Sequence, residues 1–444
     1  MDLTPIPRDI PLPLPASAQF LEVLLVVAFI AHILFVNLMV GGSVLVLGFE
    51  LRGRKNRDFN SLAQALAKTI TVNKSLAVVL GVAPLLLINV LYTIHFYTAN
   101  ALTGVAWILL IPAIAATFLL LYLHKYTWDR LRDLKGLHIA IQGMAVALFL
   151  TIPLVFLTNV NLMMFPEKWT GVQGFLSALL LPNVFPRYFH FLCASLILTN
   201  LFGVWYFGRA KFPVEEIFET LTRPALRRIF YSIAFAVSLA QFLVGPLVLF
   251  TLPTKGFDIT VVLTIVVGAT LAIPAVWLMW KELSIPEPHG RHLQAIIGYL
   301  SMTVICMAFG RHMYRVVALA EHRSQMQQAT EQWADDSAQA AYDLKLGKQR
   351  AASGISEGQA LFQNTCAVCH GVDKRVVGPP LTEIAQIYAA NPEGVVTWAK
   401  APGKKRPDVP QMPPFAHLGD KVLRQIAKYM LEAGARAGGQ GSKP

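Results

Sequence analysis

The chain has 444 residues, of which 55% are hydrophobic and only 14% charged, and its mean hydropathy is positive. So apolar a composition excludes a water-soluble globule for most of the length and indicates a polytopic membrane protein. The formal net charge of +12 would suit a nucleic-acid partner, but the basic residues fall between apolar segments in a pattern with another cause, and nucleic acid is not needed to explain them.

Residues 1–17 form a short Pro-rich tail without a basic n-region or cleavage site, so they do not read as a removable signal peptide. Eight apolar segments follow, near 18–49, 72–97, 103–124, 137–164, 185–208, 226–252, 258–280 and 294–318. Each is long enough to cross a hydrocarbon core about 30 Å thick. An even number of crossings puts both termini on one side. Alternate loops carry Arg52, Arg54, Lys55, Arg57 and Lys68, then Lys125, Arg130, Arg132 and Lys135, then Arg209, Lys211, Arg223, Arg227 and Arg228, then Lys281 and Arg291. The loops between them carry only Lys168, Arg187 and Lys255, so the positive-inside rule predicts periplasmic termini. Residues 18–318 thus form the membrane bundle, and the polar, Gln/Ala/Glu-rich residues 319–354 read as a helical extension or tether. Cys193 and Cys306 lie alone in apolar runs, where a small buried hydrophobe is the expected role and no disulfide is implied.

Ionisable side chains inside apolar spans are expensive, so each needs a reason. His32 sits in the first segment, His95 near the outer end of the second, His190 near that of the fifth and His312 near that of the eighth. A lone intramembrane His is as often a hydrogen-bonded packing residue as a ligand. Four at one depth on different helices point to haem b held between helices, with His32, His190 and His312 favoured as ligands and His95 left open. Arg187 precedes His190 by one helical turn, and Arg311 and Arg315 bracket His312, where haem propionates would pair with them or the guanidinium groups would snorkel to the interface. His124 and His138 flank one basic loop and His289 and His292 lie in another, where solvated positions are expected. The spans hold few carboxylates: Glu22 lies near the outer end of the first, while Glu50 and Glu282 sit at cytoplasmic edges, so no proton wire is visible.

Near the C-terminus stands Cys366-Ala367-Val368-Cys369-His370. Two thiols two residues apart can each form a thioether to a porphyrin vinyl group, and the following His is then held to bind the iron: the signature of covalent haem c. A redox dithiol does not need the adjoining His, and no second Cys pair completes a zinc site. For the second axial ligand, Met412 in Gln411-Met412-Pro413-Pro414 is the candidate, with His417 as competitor. A Met/His pair raises the potential relative to two imidazoles. With Gly378-Pro379-Pro380-Leu381 and a closing helix near Asp420 to Ala433, residues 355–437 resemble a class I cytochrome c, within a domain spanning 355–444. The resemblance implies attachment on the outer face of a bacterial cytoplasmic membrane, in agreement with the charge pattern.

The order of the membrane pieces is similar to the large, haem-bearing subunit of cytochrome bd quinol oxidases. Gln19-Phe20 through Ala31-His32-Ile33-Leu34-Phe35-Val36 is like that family's opening helix, whose high-spin haem ligand maps to His32. Trp128-Asp129-Arg130-Leu131 resembles a family loop, and Asn161-Leu162-Met163-Met164-Phe165-Pro166 the end of its fourth helix. Arg187-Tyr188-Phe189-His190 resembles the basic-x-x-His of the fifth helix, which implies low-spin haem b ligation by His190, and Phe309-Gly310-Arg311 resembles an aromatic-Gly-Arg element. There are departures. The family's long quinol loop after the sixth helix shrinks to residues 253–257, the Met ligand of its seventh helix has no counterpart in Thr260 to Gly268, and its ligating Glu is replaced by Met307-Ala308. His312 or Met307 would then supply the missing axial bond.

The expected fold is all-α: a bundle of about eight transmembrane helices followed by a small α-helical cytochrome c domain. The expected role is electron conduction between quinol and a periplasmic cytochrome or redox enzyme through b haems and one c haem, as a redox subunit packed against other membrane subunits. A bd-type terminal oxidase, the membrane anchor of a periplasmic dehydrogenase, and a non-catalytic haem-binding or assembly protein are the other readings.

Overall fold

The computed structural model describes residues 4–9, 13–70, 74–346, 356–388, 391–405, 407 and 409–440. Expectations for residues 1–3, 10–12, 72–73, 347–355, 389–390, 406, 408 and 441–444 lie outside the described residues. The chain divides into two compact units, Met1–Thr330 and Glu331–Pro444, and the described residues form no strand.

In the first unit, Ser17 caps α1 (Ala18–Gly53) by accepting from the Phe20 N–H. After α2 (Arg57–Ile70) come α3 (Lys74–Leu91) and α4 (Thr93–Thr103), then α5 (Val105–Ile108) and α6 (Leu110–Tyr126). The unit continues through α7 (Lys135–Leu162), α8 (Phe175–Leu179), α9 (Val184–Gly208) and α10 (Val214–Ile217). Next come α11 (Arg223–Phe250), α12 (Ile259–Leu283) and α13 (Leu293–Leu346), the last running past the boundary at Thr330 through most of the polar stretch expected to be a helical extension. Seven helices among the described residues are long and apolar enough to cross a membrane, or eight if the bent pair α3–α4 counts as one span. Large apolar side chains such as Val27, Ile111, Leu119, Leu243, Phe250 and Val266 lie on their outer faces, as lipid contact requires. The chain thus fits a multi-pass membrane protein.

The second expected span is not straight. α3 and α4 meet at 110°, with Tyr92 between them at φ −135° and ψ 41°. Asn89 Nδ2 donates to the Leu85 carbonyl at 2.9 Å and Thr93 Oγ1 to that of Asn89 at 2.7 Å, so polar side chains compete for the ladder just where it breaks.

Packing differs between the two halves of the bundle. Most α1 residues from Asn37 to Glu50 are buried, in a core shared with Leu62, Leu66, Phe207, Phe230 and Met279. Helix contact there is close: a Cβ on Gly41 would stand 2.5 Å from Thr199 Oγ1, and one on Gly203 would stand 2.6 Å from the Phe230 ring, so only glycine fits. None of the α1 residues 26–36 is buried, nor any α9 residue 185–194. Beyond them a second core, with Leu21, Leu25, Tyr92, Phe96, Trp169 and Tyr314, closes the end of the bundle where α1 begins.

The second unit holds α14 (Glu357–Thr365), α15 (Leu381–Tyr388), α16 (Pro392–Lys400) and α17 (Gly419–Gln440). Ser356 and Asn391 cap α14 and α16 through their side-chain oxygens. Leu361, Phe362, Leu381, Ile384, Val396, Ile426 and Ala427 make its core.

Candidate functional site

In the second unit α14 ends at the Cys-x-x-Cys-His sequence because the chain turns there. The Cys369 and His370 N–H groups both donate to the Cys366 carbonyl, at 3.1 and 3.0 Å. The next loop folds back, with the Gly378 N–H donating to the Cys369 carbonyl at 2.8 Å and that of Leu381 to Gly371 at 2.9 Å. This brings Pro379 to the ring of His370, whose Nδ1–H donates to the Pro379 carbonyl at 2.8 Å. The tautomer follows: Nδ1 carries the proton, and Nε2 keeps a bare lone pair for a metal. A Cβ on Gly378 would lie 2.7 Å from Nδ1 of that ring, so the cradle around the imidazole requires glycine.

Burial, and then the neighbouring Cys369, push the Cys366 thiol up to about 11. A redox dithiol works through a depressed pKa, so this pair is poorly suited to disulfide exchange. Met412 is partly buried against the domain core, whereas His417 is exposed on the short turn Ala416–Leu418. Of the two competing second ligands, Met412 alone is packed against the domain. The residues present therefore fit a covalent haem c, with Cys366 and Cys369 to tether it and His370 to bind its iron; when bound, the group supplies one-electron chemistry.

The membrane histidines are gathered at the end of the bundle where α1 begins. His32 is partly buried on α1, and its Nδ1–H donates to the Ala77 carbonyl of α3 at 3.0 Å. Its tautomer is thus that of His370. The ring lies so close to α3 that a Cβ on Gly81 would approach its Cε1 to 2.8 Å. On α9, His190 faces the Gln241 side chain of α11, with its ring nitrogens 2.9 and 3.1 Å from the amide nitrogen. Gln241 Oε1 is buried without a partner, and the other amide orientation would pair it with a ring N–H. His312, on α13, is buried with Nδ1 unpartnered, and its Nε2 lies 3.6 Å from Glu22 Oε2, beyond hydrogen-bond range.

Arg187, Arg311 and Arg315 lie within electrostatic range of one another. Among the described residues no carboxylate is within ion-pair distance of any of them. Arg311 stands over the Phe29 ring at 4.8 Å and Arg315 over Tyr92 at 5.3 Å, and the Tyr92 hydroxyl is buried and unpartnered. Three mutually repelling cations with orphaned polar atoms beside them make a receptive place for an anion.

His95, left open on sequence, is a hydrogen-bonded packing residue. Its Nε2 lies 3.0 Å from Nδ1 of His322, whose Nε2–H donates to the Pro5 carbonyl at 2.8 Å. Sequence reasoning passed over His322 because it lies in the polar part of α13, ten residues beyond His312. It also passed over Gln241, which carries no signal of its own.

The expectation that His124 and His138 are solvated is overturned: they are 1% and 0% exposed. Glu50, expected at a cytoplasmic edge, is fully buried between them, with Oε2 2.8 Å from His124 Nε2 and Oε1 in contact with His138 Nδ1. The loop between α6 and α7 folds inward here, with Trp128 packed edge-on against both imidazoles at 5.1 and 4.7 Å. His292 is likewise tied down, with Nδ1 2.7 Å from Glu282 Oε1, while His289 is exposed as expected.

The second unit is thus a cytochrome c domain by its cradle and ligand set. Residues 353–430 match the family described as Cytochrome C oxidase, cbb3-type, subunit III. That match spans less than a fifth of the chain and includes none of the apolar helices. No curated protein matches the chain. A cytochrome c domain implies electron transfer through haem c.

Proposed function

We propose that the chain is a membrane cytochrome of a respiratory chain, passing electrons between the quinol pool and a periplasmic redox partner. The route runs through b haems in the bundle and then the covalent c haem. One observation carries this reading: His32, His190 and His312, on three helices, share one end of the bundle with the unpaired cations Arg187, Arg311 and Arg315. Neutral imidazoles for iron and guanidinium groups for propionates are what haem b asks of a helix bundle.

The bundle is distantly like the large subunit of bd quinol oxidases, and on that likeness other membrane subunits pack against it. The multi-pass helices lie in the bacterial inner membrane with both termini periplasmic, supported by the basic loops. On this account His190→Ala loses a b-type haem and keeps the covalent c haem, as counted by pyridine haemochromes of the purified variant. Full b-haem occupancy in that variant would exclude the assignment. Quinol-driven oxygen uptake by the purified chain would make it a terminal oxidase instead, and reduction by a bound periplasmic dehydrogenase would make it an anchor.

A further inference from the structure

At the opposite end of the bundle from the clustered arginines, α1, α6 and α7 converge on Glu50, His124 and His138. The nearest donor atoms of the three all lie within 4.8 Å of one another, and the side chains are 0–2% exposed. We propose that these three residues form a binding site for a divalent transition metal, zinc above all, separate from any haem. The proposal does not depend on the electron-transfer reading.

The donor set is two imidazoles and one carboxylate, which is the borderline nitrogen and oxygen set that zinc takes with a fourth position open to water. The outer contacts are those of a ligating His as well. His138 Nε2–H donates to the His124 carbonyl at 2.9 Å, which fixes the tautomer and turns Nδ1 toward Glu50. The imidazoles of His124 and His138 stack 4.0 Å apart, with Trp128 across their edges, so the site is rigid.

Hydrogen accounting shows what holds the cluster without metal. His138 Nδ1 and a carboxylate oxygen cannot meet closely unless a proton lies between them, since Nε2 already carries the ring's own hydrogen. Lys135 adds an ammonium, its Nζ 2.5 Å from Glu50 Oε1 and 4.3 Å from the Trp128 ring centroid. Lys135 is 26% exposed and can swing out to solvent. A divalent ion would therefore displace the proton between His138 and Glu50 and the Lys135 ammonium, with the His124 proton moving from Nε2 to Nδ1 and no change of oxidation state, and the groups it displaces compete with it.

The test uses the full-length chain, purified through a tag free of histidine, stripped with chelator and dialysed against limiting zinc. Zinc and haem iron are then counted separately. The expected result is one zinc per chain, with an absorption-edge spectrum showing only nitrogen and oxygen neighbours at about 2.0–2.2 Å. Glu50→Gln and His124→Gln should each weaken zinc binding at least tenfold without altering the c haem spectrum. Lys135→Gln removes the competing ammonium, keeps all three ligands and should tighten zinc about tenfold; it also serves if the ligand variants do not fold. No retained zinc in the parent chain, equal retention in Glu50→Gln, or no gain in a folded Lys135→Gln would overturn the proposal.

Discussion

Two imidazoles far apart in the chain share one device. In both His370 and His32 a backbone carbonyl takes the Nδ1 proton, at 2.8 Å and 3.0 Å, and leaves Nε2 free. For His370 the sequence already declared the role, because thiols and ligand sit within five consecutive residues and their spacing is itself the chemistry. Its supports, Pro379 and Gly378, were legible as part of the same pattern. Nothing comparable marks Glu50, whose partners are 74 and 88 residues away, or His95, whose partner is 227 residues away. Such pairs are made by helix packing alone, so sequence reading assigned His124 and His138 to solvent and left His322 unnoticed. At this scale Met412→His is the informative substitution. A thioether ligand favours ferrous iron more than an imidazole does, so the midpoint potential of the c haem should fall by on the order of 100 mV or more in a redox titration. An unchanged potential would show that Met412 is not the second ligand.

The helices themselves were easy to read, because runs of apolar residues between basic loops leave few alternatives for a chain in lipid. What the sequence did not show is the bend at Tyr92, since a 110° break leaves the hydropathy of the span unchanged. Tertiary ties between loops were equally invisible. Asp58, at the start of α2 and 3% exposed, accepts from the backbone N–H groups of Glu219, Thr220 and Leu221 at 2.7–2.9 Å and from the Thr220 hydroxyl at 2.5 Å. Burial works to raise its pKa, but these four bonds outweigh it and hold the carboxyl below its ordinary value. Because the folded value is the lower one, the clamp contributes fully above the ordinary carboxylate range, and its contribution is lost as pH falls through the depressed value. Asp58→Asn should cost about 1–3 kcal/mol in thermal unfolding at neutral pH. The difference from the parent should shrink in acid; a constant difference across pH would mean the charge is irrelevant.

At the scale of the whole chain, a compact bundle and a compact haem c unit divide the work. The second unit carries the ligand cradle in the turn and loop between its own α14 and α15, so on the proposed function the b and c haem steps should be separable by mutation. His370→Ala is expected to leave quinol reduction of the b haems intact while abolishing electron transfer to a periplasmic acceptor; unchanged turnover would mean that electrons bypass the c haem. The compositional signals of membrane and haem c are legible in the sequence, whereas the proposed haem b sites had to be inferred from four scattered histidines, one of which is now accounted for by packing. The most direct measurement is therefore the haem inventory of the purified chain, from reduced-minus-oxidised spectra and pyridine haemochromes. The account predicts one covalent c haem together with at least one extractable b haem that quinol reduces. Covalent haem alone, with nothing extractable, would contradict it.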